Sequence, residues 1–313
     1  MARDETTLLR LMPWVFVLIW STGFVVARYA MPHAPPFKFL SLRYALSVLC
    51  FAVWIGLAHA AWPCGRRQWG HLAVSGVLMH LGYLGGVWSA IKLGIGAGTV
   101  ALLVGLQPVL TALWLSAASR TDARSTAVGL REWCGLLLGL CGLGLVVWPK
   151  VGAGEATPLN LALGTLALFS ITAGTLYQKR FVEPNDVRSA NAIQLVAALI
   201  VSLPLAALES EPMRWNAELM GAMAWSVLVL TLGGSSLLYL LIQRGAATRV
   251  TSLLYLVPPC TAGLAWWLFG EAFTASMGAG MLLTVAGVVL VIRSGGGGTI
   301  GDAPVNPLAR NKA

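Results

Sequence analysis

Residues 250–292 read VTSLLYLVPPCTAGLAWWLFGEAFTASMGAGMLLTVAGVVLVI, two apolar runs with a single internal charge, Glu271. As an α-helix the first run, residues 250–269, is about 30 Å long, enough to cross the hydrocarbon core of a bilayer. The Pro258-Pro259 pair in its middle would break a soluble helix. In a membrane bundle such a break is tolerated where neighbours or a cavity satisfy the freed carbonyls. The same pattern occurs earlier in the chain. Shifted back by 150 positions, Val250 meets Val100, Leu253 meets Leu103, Pro258 meets Pro108 and Thr261 meets Thr111. After a loop five residues shorter the shift is 145, and Gly280 meets Gly135 while Gly287 meets Gly142. A midspan proline followed by a glycine-spaced helix, twice at one period, makes the chain two copies of one unit.

Composition agrees. The chain is 57% hydrophobic and 11% charged with a mean hydropathy of +0.76, against roughly 25% charged in soluble domains. This is the composition of a polytopic membrane protein. The net charge of +9 is read as loop charge facing the cytoplasm, so nucleic acid is not expected as a partner. The five cysteines form no CxxC and predict neither a disulfide framework nor a metal site.

Apolar runs predict spans at 11–30, 39–57, 72–91, 98–117, 133–148, 161–177, 190–208, 219–242, 250–269 and 272–292. The expected fold is an all-α integral membrane protein of ten helices, arranged as two inverted five-helix repeats at 11–148 and 160–293. Residues 294–313, glycine-rich and polar, are expected to be a disordered cytoplasmic tail. The first run is long and its counterpart at 161–177 is internal, so it is expected to be a retained helix and not a cleaved signal. With the N-terminus inside, 15 Lys and Arg fall in inner segments, 4 in outer loops and 2 within spans, Arg28 and Arg43. Both termini are therefore expected in the cytoplasm. An odd number of helices per copy makes the second copy enter from the opposite face, the architecture of secondary transporters. Trp14, Trp62, Trp69 and Trp133 are expected at the inner interface, and Trp148, Trp215 and Trp266 at the outer one. Gly135 and Gly139 form a small-xxx-small pattern suited to close helix packing.

Several segments, in order, resemble the drug/metabolite transporter superfamily and within it the EamA-like permeases. They are WSTGFVVARYA ending near Arg28, LRYAL carrying Arg43, WSAIKLGIGAGTVALLVGLQPVLTALW, and YLVPPCTAGLAWWLFGE followed by GAGMLLTVAGVVLV. The resemblance covers residues 11 to 293. One departure stands out: Gly270-Glu271 follows the proline-bearing helix of the second copy, but the first copy has Ser119-Arg120 there and no acid. The resemblance implies a permease in the inner membrane of a bacterium, moving a small-molecule substrate and exporting an amino acid or related amphipathic metabolite. It would be a monomer or homodimer in the lipid bilayer, with no cofactor. A nucleotide-sugar or organophosphate exchanger would want more intramembrane cations than Arg28 and Arg43. A membrane-embedded enzyme or an assembly protein is the reading of another class, and HExxH, paired-aspartate, nucleophile-elbow and Walker motifs are all absent from the sequence.

Candidate pathway residues follow from polarity inside apolar runs. Arg28 and Arg43 are either anion clamps or snorkelling side chains. Gln107 beside Pro108, and Tyr255 before Pro258, sit at helix breaks where freed carbonyls line cavities. Trp20, Tyr83, Trp88, Tyr177 and Tyr239 are either pocket-lining aromatics or bundle packing. His80 is the one histidine deep in a span, a proton relay or an interhelical hydrogen-bonder. Pro108, Pro258 and Pro259 are the helix-break candidates; Glu271, near the outer interface, reads as a solvated side chain or a helix cap, and the resemblance alone makes it a gating candidate. With His80 the lone titratable group of that kind, the solute is expected to move down its own gradient.

Overall fold

The computed structural model describes residues 2–118, 130–237, 256–271 and 274–294. Among these residues there is no strand, and ten helices follow one another. They are α1 (Ala2–Ala30), α2 (Pro36–Ala58), α3 (Arg66–Lys92), α4 in two pieces (Ala97–Val104 and Gln107–Ala118), α5 (Leu130–Gly152), α6 (Pro158–Phe181), α7 (Val187–Leu208), α8 (Ala217–Ser235), α9 (Val257–Phe269) and α10 (Ala275–Ser294). Six of them, α2, α3, α5, α6, α7 and α8, are long and apolar enough to cross a membrane. Leu57, Trp267 and Leu282 are more than two-thirds exposed, a surface that suits hydrocarbon and not water.

Each expected span coincides with a described helix, although residues 238–242 and 250–255 of two of them lie outside the described residues, and several helices run further than the hydropathy does. α6 starts at Pro158 because Thr157 and Asn160 form a capping box. α7 starts at Val187 because Asp186 accepts the Arg188 N–H. α5, expected to stop at 148, continues through Pro149 to Gly152. α9 stops where Gly270 adopts a left-handed φ of 64°, which glycine takes without strain. Hydropathy marks where a helix meets lipid, whereas caps decide where it ends.

The loops sort into two ends. Residues 31–35, 93–96, 153–157, 209–216 and 270–271 gather at one of them, joined by contacts such as Arg214 N–H to the His33 carbonyl (2.8 Å) and Asn160 to the Leu93 carbonyl (3.3 Å). This acidic end carries Glu155, Glu209, Glu211, Glu218 and Glu271. At the opposite, basic end Ser189 donates to the Ala61 carbonyl (2.7 Å), close to Arg66, Arg67 and Arg188. The alternation of ends is the one that ten successive crossings require. All seven tryptophans assigned to interfaces are at least 43% exposed.

Equivalent helices pack on each other. In α5 and α10 Gly142 abuts Gly280, and Gly287 abuts Gly135 and Gly139. A side chain at Gly142 or Gly287 would run into opposing backbone, so the approach requires glycine. Because partner numbers fall as the other helix's rise, the helices are antiparallel. Exchanging each glycine for its repeat counterpart turns one contact into the other, which is twofold symmetry. α4 and α9 also pack antiparallel: Gly98 lies against Ala262, and Gly105 against Pro258.

Candidate functional site

A helical segment starts at the proline of each repeat. α4 is interrupted at Gly105-Leu106 and resumes at Gln107, directly before Pro108. α9 begins at Val257 with Pro258 in its first turn. The break in α4 touches the start of α9, since a Cβ at Gly105 would come within 2.9 Å of Pro258 Cγ. The crevice beside them, lined by Pro258, Pro259, Met281 and Thr284 among others, holds only about 10 Å³, the space of a single water. Gln107 does not face a cavity: its amide donates to Thr175 Oγ1 on α6 at 3.1 Å.

A second irregularity has no signal in the sequence. α3 widens into a π-helix at Val77–Gly82, and α8 does so at Trp225–Ser235. Adding the repeat shift of 150 to 77–82 gives 227–232, inside the second segment. π turns displace backbone groups from the regular ladder and recur at functional sites. Here both are engaged by neighbouring residues of α2. Tyr44 Oη donates to the His80 carbonyl in the first π segment (2.7 Å). Arg43 Nε and Nη2 donate to Thr231 Oγ1 in the second, at 3.2 and 3.1 Å.

Five of the sequence candidates converge around this point. Arg43 is 6% exposed, and its guanidinium lies 5.9 Å from the centre of the Trp88 ring. Snorkelling does not describe a side chain so placed. Tyr83 and His80 stand within electrostatic reach of Arg43, Trp20 lies beside the Tyr83 hydroxyl, and Gln194 of α7 beside the His80 ring. Trp88 stacks on Phe39 with ring centres 4.6 Å apart and is fully buried, and Tyr83 is nearly so; both are packed into the bundle's core. Thr231, Tyr44 and Gln194 were not singled out from sequence. Tyr44 could have been, as the immediate neighbour of Arg43.

The remaining candidates lie elsewhere. Arg28 Nε stands 4.0 Å from Glu271 Oε1 at the acidic end. Glu271 is only 13% exposed there, so it is not a solvated side chain; its Oε1 accepts the Ala97 N–H (3.3 Å) and so caps α4. Gly96 makes room for it, because a Cβ there would lie 2.7 Å from Glu271 Oε2 and 3.1 Å from Lys150 Nζ. Tyr177, near the basic end, pairs with His71 Nδ1 at 2.9 Å. Tyr239 and Tyr255 lie outside the described residues, as does the tail beyond Ser294. A hollow of about 230 Å³ opens between α1 and α8, lined by Val26, Tyr29, Glu218 and Trp225, and includes none of the candidates.

The halves are joined at the acidic end by polar contacts. Glu209 accepts the N–H groups of Phe37 and Lys38 (2.9 and 2.8 Å), and Glu211 pairs with Lys92 at 2.8 Å. Lys38 Nζ donates to the Glu211 carbonyl (2.9 Å), and His33 meets Glu218 at 2.8 Å.

The comparison with known families fits this architecture. The EamA-like transporter family matches at residues 11–148 and again at 159–293. The chain belongs to the EamA-like transporter family. "Uncharacterized transporter YvbV" of Bacillus subtilis (strain 168) is 24% identical over 283 residues, 88% of each chain. A "Probable amino-acid metabolite efflux pump" of Salmonella typhimurium is 23% identical over 284 residues, 88% of this chain and 91% of its own. A solved crystal structure superposes with a TM-score of 0.64 at 19% identity, covering 92% of this chain and 97% of that one, a likeness of fold.

Proposed function

We propose that this EamA-like transporter exports a small amphipathic metabolite, an amino acid or a related compound, across the inner membrane of a bacterium by alternating access between two inverted five-helix repeats. The observation that carries it is the twofold contact of α5 with α10. Two equivalent, oppositely inserted halves can rock about such an axis. The acidic end supports closure on one side, because its joining contacts are ion pairs and borrowed helix caps that can part without unpacking a core. The distribution of Lys and Arg supports a cytoplasmic basic end and cytoplasmic termini. The name of the Salmonella relative supports an amino-acid-like solute.

The test is flux. Purified protein in proteoliposomes loaded with radiolabelled amino acids should release at least one of them faster than empty liposomes do. Loading equal concentrations on both sides and imposing a pH gradient should give no net accumulation. Failure of the whole amino-acid set to move would overturn the export reading. For topology, a reporter active only in the cytoplasm should give signal when fused between residues 120 and 124, and none between residues 209 and 214.

A further inference from the structure

Arg43 is a buried cation without an anion. One hydroxyl and one ring meet it: two of its five N–H bonds converge on Thr231 Oγ1, and Trp88 covers a face. No Asp or Glu occurs at residues 6–121, 133–154, 156–182, 187–208, 219–270 or 272–301, so no span interior can bring it a carboxylate. Two more polar groups share its surroundings. Ser47 lies one helical turn along the same face of α2, fully buried, and its Oγ has no partner among the described residues. Ser226 is the second residue of the second π segment. Its carbonyl takes the Thr231 hydroxyl at 2.9 Å, while its own Oγ is buried and likewise unpartnered. Buried polar groups are satisfied in native proteins as a rule, so a charge and two orphaned hydroxyls together mark a site built for something else.

We infer that Arg43, with Ser47 and Ser226, forms a docking site for the carboxylate of a monoanionic solute, and that the carboxylate displaces Thr231 from the guanidinium. This deepens the export reading and rests on it. The displacement follows from bond strength. Thr231 offers a neutral oxygen that already donates to the Ser226 carbonyl, whereas a carboxylate accepts two parallel charge-assisted bonds, each about twice as strong. The charge count selects the class. A monocarboxylate neutralises the single guanidinium, but a phosphate dianion would bury an uncompensated charge, since Arg28 is committed to Glu271. The consequence for movement is specific to this geometry. Arg43 and Tyr44 hold one π segment each, so exchange of Thr231 for a carboxylate removes the tie between Arg43 and the π segment of α8, while Tyr44 keeps its tie to the π segment of α3. Binding of the solute and loss of that one tie become one event.

The experiment uses the full chain in detergent and reads thermal stabilisation by the twenty amino acids and by simple monocarboxylates, each paired with its uncharged amide and with phenyl phosphate as the dianion control. At least one acid should raise the melting temperature where its amide and phenyl phosphate do not. In Arg43→Gln the apparent affinity of that acid should fall at least 30-fold, and in Ser47→Ala, which keeps the charge, about 5-fold. Arg188→Gln, a cation removed at the basic end, should bind as wild type. Equal stabilisation by acid and amide, undiminished binding in Arg43→Gln and Ser47→Ala, or no stabilisation by any acid would overturn the proposal. If proteoliposomes still export a solute that Arg43→Gln carries equally well, the carboxylate site falls and the transporter reading stands. Should nothing be exported while the acids bind through Arg43, it is the transporter reading that falls.

Discussion

At the acidic end, the two halves start their helices in different ways. α2 and α4, from the first half, begin after Pro35 and Gly96, and neither residue has a side chain that can accept a hydrogen bond. Their first N–H groups are met by Glu209 and Glu271, both from the second half. α6, α8 and α10 begin at the same end with acceptors of their own, Thr157, Asn216 and Thr274. Each helix start leaves N–H groups that something must satisfy. Parting the halves here would strip the caps from α2 and α4 and leave the other three intact. Closure of this end is therefore written into the first half's dependence on the second.

The strongest way to break this comparison is Glu209→Ala, which removes two charge-assisted bonds from α2. It should lower stability by roughly 2 kcal/mol, measured by thermal unfolding in detergent. A cysteine replacing Thr99, two residues beyond Ala97 and fully buried, reports opening when the five native cysteines are changed to serine. Its labelling by an impermeant maleimide should rise at least 10-fold with Glu209→Ala. Unchanged labelling would show that the borrowed cap is not part of closure. Glu271→Gln should have the same sense and a smaller size, about 5-fold, because a neutral amide oxygen can still accept from Ala97.

Asn216→Ala sharpens the contrast from the other side. Loss of a self-made cap should cost about 1 kcal/mol of stability yet leave Thr99→Cys labelling as in the parent. Increased labelling would erase the distinction between the halves. The smallest effect belongs to Asp186, a self-made cap at the basic end. Hydrogen bonds from the Arg188 side chain hold its carboxyl below the ordinary value of 3.8. A carboxyl depressed in the folded state stabilises above its unfolded pKa, and that contribution is lost as pH falls through the lowered one. Wild type should thus exceed Asp186→Asn by less than about 1 kcal/mol at neutral pH, and the gap should close below pH 3.8. A gap that widens on acidification would reverse the assignment.

The sequence carried the helices, the break at Pro108 and the close glycine packing of α5, because each depends on local composition or on a repeat within the chain. Arg43 was legible for the same reason, as a cation in an apolar run. What surrounds it was not. Thr231 is 188 residues away and becomes a partner only through the register of a π segment, which leaves hydropathy unaltered. The pairing of Arg28 with Glu271 likewise spans most of the chain. Trp88 and Tyr83 show the limit of polarity arguments: an aromatic ring beside a charge can wall a site and fill the core at once.

The glycine contacts of α5 with α10 have an evolutionary corollary. Under exchange of the halves the contact maps onto itself, so the surface of α5 is complementary to an inverted copy of its own kind. In assemblies such an interface is isologous, and it closes at two subunits. A polypeptide ending near residue 152 already bears the patch needed to meet a twin inserted upside down. The single chain is in this sense built like a tethered homodimer. The first half's dependence on Glu209 and Glu271 marks how far the twins have since become unequal.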